Sequence, residues 1–75
     1  MTNKFITVKE LAQKYGLSYQ TVNRYSDKGL LNVAFKKGNI RFYERKQAEK
    51  RISQIIVFAR EGYSLMLIRK KILGV

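Results

Sequence analysis

Neither cysteine nor histidine occurs in this 75-residue chain, and carboxylates are scarce: five Asp and Glu stand against sixteen Lys and Arg. Without cysteine there is no disulfide framework and no thiolate zinc site. Without histidine, imidazole metal ligands, the commonest general base and the Ser–His and Cys–His nucleophile pairs all fall away. Glu10, Asp27, Glu44, Glu49 and Glu61 are spaced too widely along the chain to suggest a two-metal nuclease centre. An enzyme is therefore not expected, nor is a cofactor or a metal. No apolar run approaches a membrane span, and Met1-Thr2-Asn3-Lys4-Phe5-Ile6 lacks the apolar core of a signal peptide. The lack of cysteine also fits a reducing, cytoplasmic compartment.

What remains is a hydrophobic fraction of 45%, four Phe and five Tyr, enough for a folded domain rather than a disordered segment. The length allows one small domain, taken as residues 1–75, with a modest core. The formal net charge of +11 is concentrated in residues 36–75, which hold eleven Lys and Arg against three Glu. Self-repulsion at a pI near 10.3 works against the compact state, so a polyanionic partner accounts for the charge better than solvation alone.

Thr7 followed by Glu10 is the sequence of a capping box, and it opens a helix from Val8 to about Tyr15. Val8, Leu11, Ala12 and Tyr15 fall on one face of it. Gly16 ends this helix, Leu17 occupies the turn and Ser18 caps a second helix over roughly Tyr19 to Asp27. Val22 faces inward there, and Gly29 closes it before Leu30 and Leu31 return to the core. From Val33 to Tyr43 the period becomes two, with Lys36-Lys37-Gly38-Asn39 as a hairpin turn whose Gly and Asn both tolerate positive φ. The hairpin is expected to lay Val33, Phe35, Ile40 and Phe42 on the helices, leaving a basic tip and a free Arg41. A longer helix follows from about Arg45 to Arg60, with Ala48, Ile52, Ile55, Ile56 and Ala59 in one stripe. Basic residues in its first turn oppose the helix dipole and point to a nearby anion. After Glu61-Gly62-Tyr63, Ser64 caps a last helix from Leu65 to Leu73.

The order of these pieces resembles the DNA-binding domain of MerR-family regulators over about Ile6 to Ile72. The matching motifs are Thr7 to Glu10 with Leu11-Ala12, Gly16-Leu17-Ser18, Thr21-Val22, Tyr25, Lys28-Gly29-Leu30-Leu31, Arg41-Phe42-Tyr43, and Gly62-Tyr63-Ser64-Leu65 with Ile68. The resemblance implies a mainly α winged helix–turn–helix with about four helices and a small β-hairpin wing. Its second helix enters the major groove of DNA while the wing flanks it. The chain departs from the family pattern where Asn23 stands in the place of an Arg and Arg24 in that of an aromatic residue. The wing carries Gly38-Asn39-Ile40-Arg41, and the third helix opens on Glu44-Arg45-Lys46 rather than on a Ser-capped acidic turn.

Family members usually continue into a dimerisation helix and an effector domain, whereas this sequence ends at Val75. The expectation is a site-specific duplex-DNA-binding transcription regulator of a bacterium or mobile element, associated with the nucleoid and without a small-molecule effector. The alternatives are an architectural factor such as an excisionase, or the DNA-binding part of a larger regulator or segregation protein. RNA recognition would need exposed aromatic rings, and most Tyr and Phe here are read as inward-facing.

The candidate DNA-binding residues are Ser18, Tyr19, Gln20, Thr21, Asn23, Arg24, Tyr25 and Lys28 around the second helix. Lys36, Lys37, Asn39, Arg41 and Tyr43 of the hairpin and Arg45 and Lys46 of the third helix complete the set. Gln and Asn can each pair with adenine and Arg with guanine, at about 1–3 kcal/mol of discrimination for a good pair. Tyr25 reads equally as packing or phosphate contact, and Tyr15 and Tyr43 read as core rather than function, although Tyr43 is kept in the set. Lys50 and Arg51 are weaker phosphate candidates, and Arg69, Lys70 and Lys71 are expected to face solvent. Val57, Phe58, Met66 and Leu67 fall off the apolar stripes and could join copies of the chain on adjacent DNA sites.

Overall fold

A computed structural model describes residues 4–74, so the readings of Met1-Thr2-Asn3 and of Val75 lie outside the described residues. The order is β1 (Phe5–Thr7), α1 (Val8–Tyr15), α2 (Tyr19–Asp27), β2 (Val33–Lys37), β3 (Ile40–Glu44), α3 (Arg45–Arg60) and α4 (Leu65–Leu73). Among the described residues this is a mainly helical winged helix–turn–helix with four helices and a small antiparallel sheet.

Local chemistry accounts for the helix ends. The Thr7 hydroxyl accepts from the Glu10 amide at 3.2 Å while a Glu10 carboxylate oxygen accepts from the Thr7 amide at 3.0 Å, which satisfies two otherwise orphan donors. Gly16 takes the left-handed conformation at φ 65°, and the Leu17 amide donates to the Ala12 carbonyl at 2.9 Å. Ser18 and Ser64 accept from the amides of Thr21 and Leu67 and so cap α2 and α4. Together these fix the angle between α1 and α2.

The main core gathers Ile6, Leu11, Val22, Leu31, Tyr43 and Ile52, and a second cluster of Leu30, Ile55 and Ile68 joins α3 to α4. Tyr25 packs against both. Truncating a fully buried residue such as Leu11 or Ile52 is expected to cost about 2–5 kcal/mol.

The sheet departs from the expected two-stranded hairpin. β1 pairs antiparallel with β3, giving the strand order β1-β3-β2 and placing Ile6 opposite Tyr43. The face of the hairpin is also inverted. Tyr43 is on the helix side at 1% exposure, so its neighbour Phe42 points away from the helices. The register shifts between Val33 and Phe35, because Val33 pairs with Tyr43 whereas Phe35 pairs with Phe42. One extra residue, Ala34, thus sends Val33 and Phe35 to opposite faces. In the turn only Gly38 takes a positive φ, 62°, and Asn39 does not, the pattern of a II′ rather than a I′ hairpin. In α3, Ala48, Ile52 and Ile55 are buried as expected, but Ala59 is exposed.

Candidate nucleic-acid interface

α2 and the hairpin meet along a cleft of about 440 Å³ lined by Thr7, Val8, Lys9, Tyr19, Asn23, Lys36, Asn39, Ile40 and Arg41. Its charged members are Lys9, Lys36 and Arg41, with no carboxylate among the lining residues. Five residues singled out in the sequence therefore converge here: Tyr19 and Asn23 from α2, and Lys36, Asn39 and Arg41 from the wing. Lys9 joins them without any sequence pattern that marks it. It sits in the first turn of α1, whose amino end carries the positive end of the helix dipole, so the cleft draws on a third element.

Arg41 is not free. Its Nη1 lies 3.5 Å from Asn23 Oδ1 and 3.4 Å from Asp27 Oδ1, so the wing is latched onto the outer face of α2. Both contacts are long and partly solvated, and a phosphate can displace them at little cost.

A second cleft of about 740 Å³ lies where α2 ends against α4, lined by Arg24, Asp27, Lys28, Gly29, Leu65, Met66 and Arg69. Arg69 does not simply face solvent. Its Nε donates to the Lys28 carbonyl at 2.7 Å, placing a cation on the carboxyl end of α2, where the dipole favours it. Nothing in the sequence announces this contact, because its two residues are far apart along the chain.

The other sequence candidates are distributed as follows. Gln20, Arg24 and Lys28 are exposed, and Ser18 and Thr21 serve the cap of α2 with hydroxyls 2.9 Å apart. Tyr25 is half-buried; burial pushes its phenol pKa up, and the Arg24 charge opposes that. Lys37 is exposed on the sheet face turned away from the helices. Tyr43 leaves the interface: its side chain is core, and its buried hydroxyl has no hydrogen-bond partner among the described residues.

Arg45 turns onto Glu49 at 3.3 Å, and Glu49 also accepts from Lys14 Nζ at 2.6 Å, which ties α3 to α1. The Lys14 hydrogen bond, helped by the Lys14 charge and then by the Arg45 hydrogen bond and charge, holds the Glu49 carboxyl below the usual carboxylate range against the opposing effect of burial. The backbone amide of Thr7 does the same for Glu10, with help from the Thr7 hydroxyl and the more distant Arg45. The basic first turn of α3 is thus partly neutralised within the protein. Lys46 remains exposed.

A capped helix–turn–helix beside a basic wing defines a winged helix–turn–helix DNA-binding domain. The family described as MerR HTH family regulatory protein matches residues 6–74. The chain belongs to that family, one of DNA-binding transcription regulators rather than enzymes. No curated protein and no solved structure matches significantly. Among the described residues no helix is long and apolar enough to cross a membrane.

Proposed function

We infer that the protein binds specific duplex sites and regulates transcription there, with α2 in the major groove and the wing on the adjacent backbone or minor groove. The supporting observation is the cleft between α2 and the hairpin, where Lys9, Lys36 and Arg41 surround Tyr19 and Asn23 without a lining carboxylate. Lys9, Lys36 and Arg41 are suited to phosphates and carry position; Asn23 and Arg24 carry base readout. Entry of DNA exchanges the Asn23 and Asp27 contacts of Arg41 for a phosphate, which frees the Asn23 amide to face a base edge. Regulation follows from occupancy of the site, with residues 1–75 acting as one domain at the nucleoid. Copies on adjacent sites meet through exposed apolar side chains such as Val57 and Leu67. Phe58 is a poorer candidate, because it packs on the second core cluster and against Tyr63.

Gel shifts on a selected site test the division of labour. Arg41→Ala is expected to weaken binding to all sequences alike, whereas Asn23→Ala and Arg24→Ala blur preference at one or two base pairs. A uniform loss from all three substitutions contradicts it.

A further inference from the structure

The sheet face turned away from the helices is aromatic. Phe5 of β1, Phe42 of β3 and Phe35 of β2 form one continuous cluster on it. The Phe35 and Phe42 rings stack with centroids 4.7 Å apart and planes 8° from parallel, and Phe5 meets Phe35 edge-on at 5.0 Å. This cluster is not core: Phe5 is 37% and Phe35 43% exposed. Lys4 Nζ stands 5.9 Å from the Phe5 ring centroid, and Lys37, two residues beyond Phe35 in β2, is on the same face. Glu44, paired with Phe5 in the ladder, is the acidic residue of this face.

We propose that this face binds single-stranded nucleic acid, its bases stacked on Phe5, Phe35 and Phe42 and its phosphates held by Lys4 and Lys37. Exposed rings flanked by lysines match the two halves of a nucleotide strand, since every base offers a flat π-face and every linkage a negative charge. Charge decides against a second copy as the occupant. Each copy carries +11, and apposing two such faces brings Lys4 and Lys37 of both together. None of the three rings lines the duplex-facing cleft, and Arg41 and Lys36 of that cleft lie on the opposite side of the hairpin from Phe35. The proposal does not depend on how α2 reads duplex DNA.

The test uses Phe35→Trp, which introduces the chain's only tryptophan in place of a ring of similar shape. Oligothymidylate and oligouridylate of about 12 nucleotides are each titrated in, together with an abasic strand of equal charge and a short duplex. The expected result is saturable quenching of the indole fluorescence by one or both base-bearing strands, with DNA or RNA preference read from the two arms. The abasic strand is expected to bind more weakly by roughly 5- to 150-fold for each stacked base lost. Phe5→Ala is expected to weaken strand binding and leave duplex binding intact, Glu44→Gln to strengthen strand binding, and Arg41→Ala to weaken duplex binding chiefly. Equal affinity for the abasic strand with unquenched tryptophan overturns the proposal. So does displacement of the strands by an acidic aromatic peptide of equal charge at lower concentration, which would make the face a protein-docking surface.

Discussion

Replacing Arg69 by alanine removes the hydrogen bond that joins α4 to the carboxyl end of α2. Its Nε donates to the Lys28 carbonyl at 2.7 Å, at the C-cap of α2. A hydrogen bond to a charged group contributes about 1.5–3 kcal/mol when well shielded, and a cation on a helix carboxyl end about 0.3–1 kcal/mol. Arg69 is only half-buried, so the lower part of that range applies, and the loss is expected to be about 1–2 kcal/mol. For a domain of this size that lowers Tm by roughly 4–15 °C. Urea titration followed by circular dichroism reads it, with Lys70→Ala as the control, since Lys70 is an exposed neighbour on α4. That control is expected to stay within about 0.5 kcal/mol of the parent. Arg69→Lys retains the charge but not the guanidinium geometry, and should fall between the two. If Arg69→Ala and Lys70→Ala unfold at the same urea concentration, α4 does not brace α2 and the reasoning fails.

Other consequences are open to simple measurements. Gly16→Ala meets no atom within 4 Å, so its cost is the left-handed backbone alone, about 1–2 kcal/mol in a chemical melt. The Glu49 carboxyl, lowered by Lys14 and Arg45, contributes stability that is fully present above the unfolded carboxylate pKa near 4.3 and is lost as pH falls through the lower native value. Glu49→Gln is expected to flatten the acid limb of a stability–pH profile; an unchanged limb refutes the assignment. Asp27→Ala releases Arg41 from one of its contacts and is expected to tighten duplex binding by up to about tenfold at low salt, with little change in stability. Duplex affinity itself is expected to fall roughly 10³- to 10⁵-fold between about 50 and 200 mM salt if some 6–10 phosphates are contacted. A shallow salt slope argues against the basic wing and α1 terminus as backbone contacts.

The helices are legible in the sequence because their limits are set by local chemistry. Thr7 with Glu10, Gly16, Ser18, Gly62 and Ser64 act on backbone groups a few residues away, and the starts of α1, α2 and α4 and the ends of α1 and α3 coincide with those they indicate. The sheet is less legible because its faces depend on partners distant in sequence. Arg41 and Phe42 alternate as cleanly in one sense as in the other; what decides is that Ile6, across the ladder, needs Tyr43 on the buried side. The Ala34 bulge then reverses the expected side of Phe35. Alternation alone therefore puts Phe35 and Phe42 on the core side, whereas in the structure Tyr43 is buried at 1% exposure and Phe35 is 43% exposed. The cleft-lining position of Lys9 and the Arg69 contact to Lys28 share that origin, since both depend on how elements meet rather than on a local pattern.

The central claim is that α2 reads duplex sequence. Selection of bound sites from a randomised duplex pool at moderate salt, run in parallel on the parent protein and on Arg24→Ala, tests it most directly. One enriched motif is expected for the parent, and the same motif with one or two positions blurred for the variant. Tight binding at low salt with no enriched motif at moderate salt would contradict the claim, leaving a basic surface that holds polyanions without reading them.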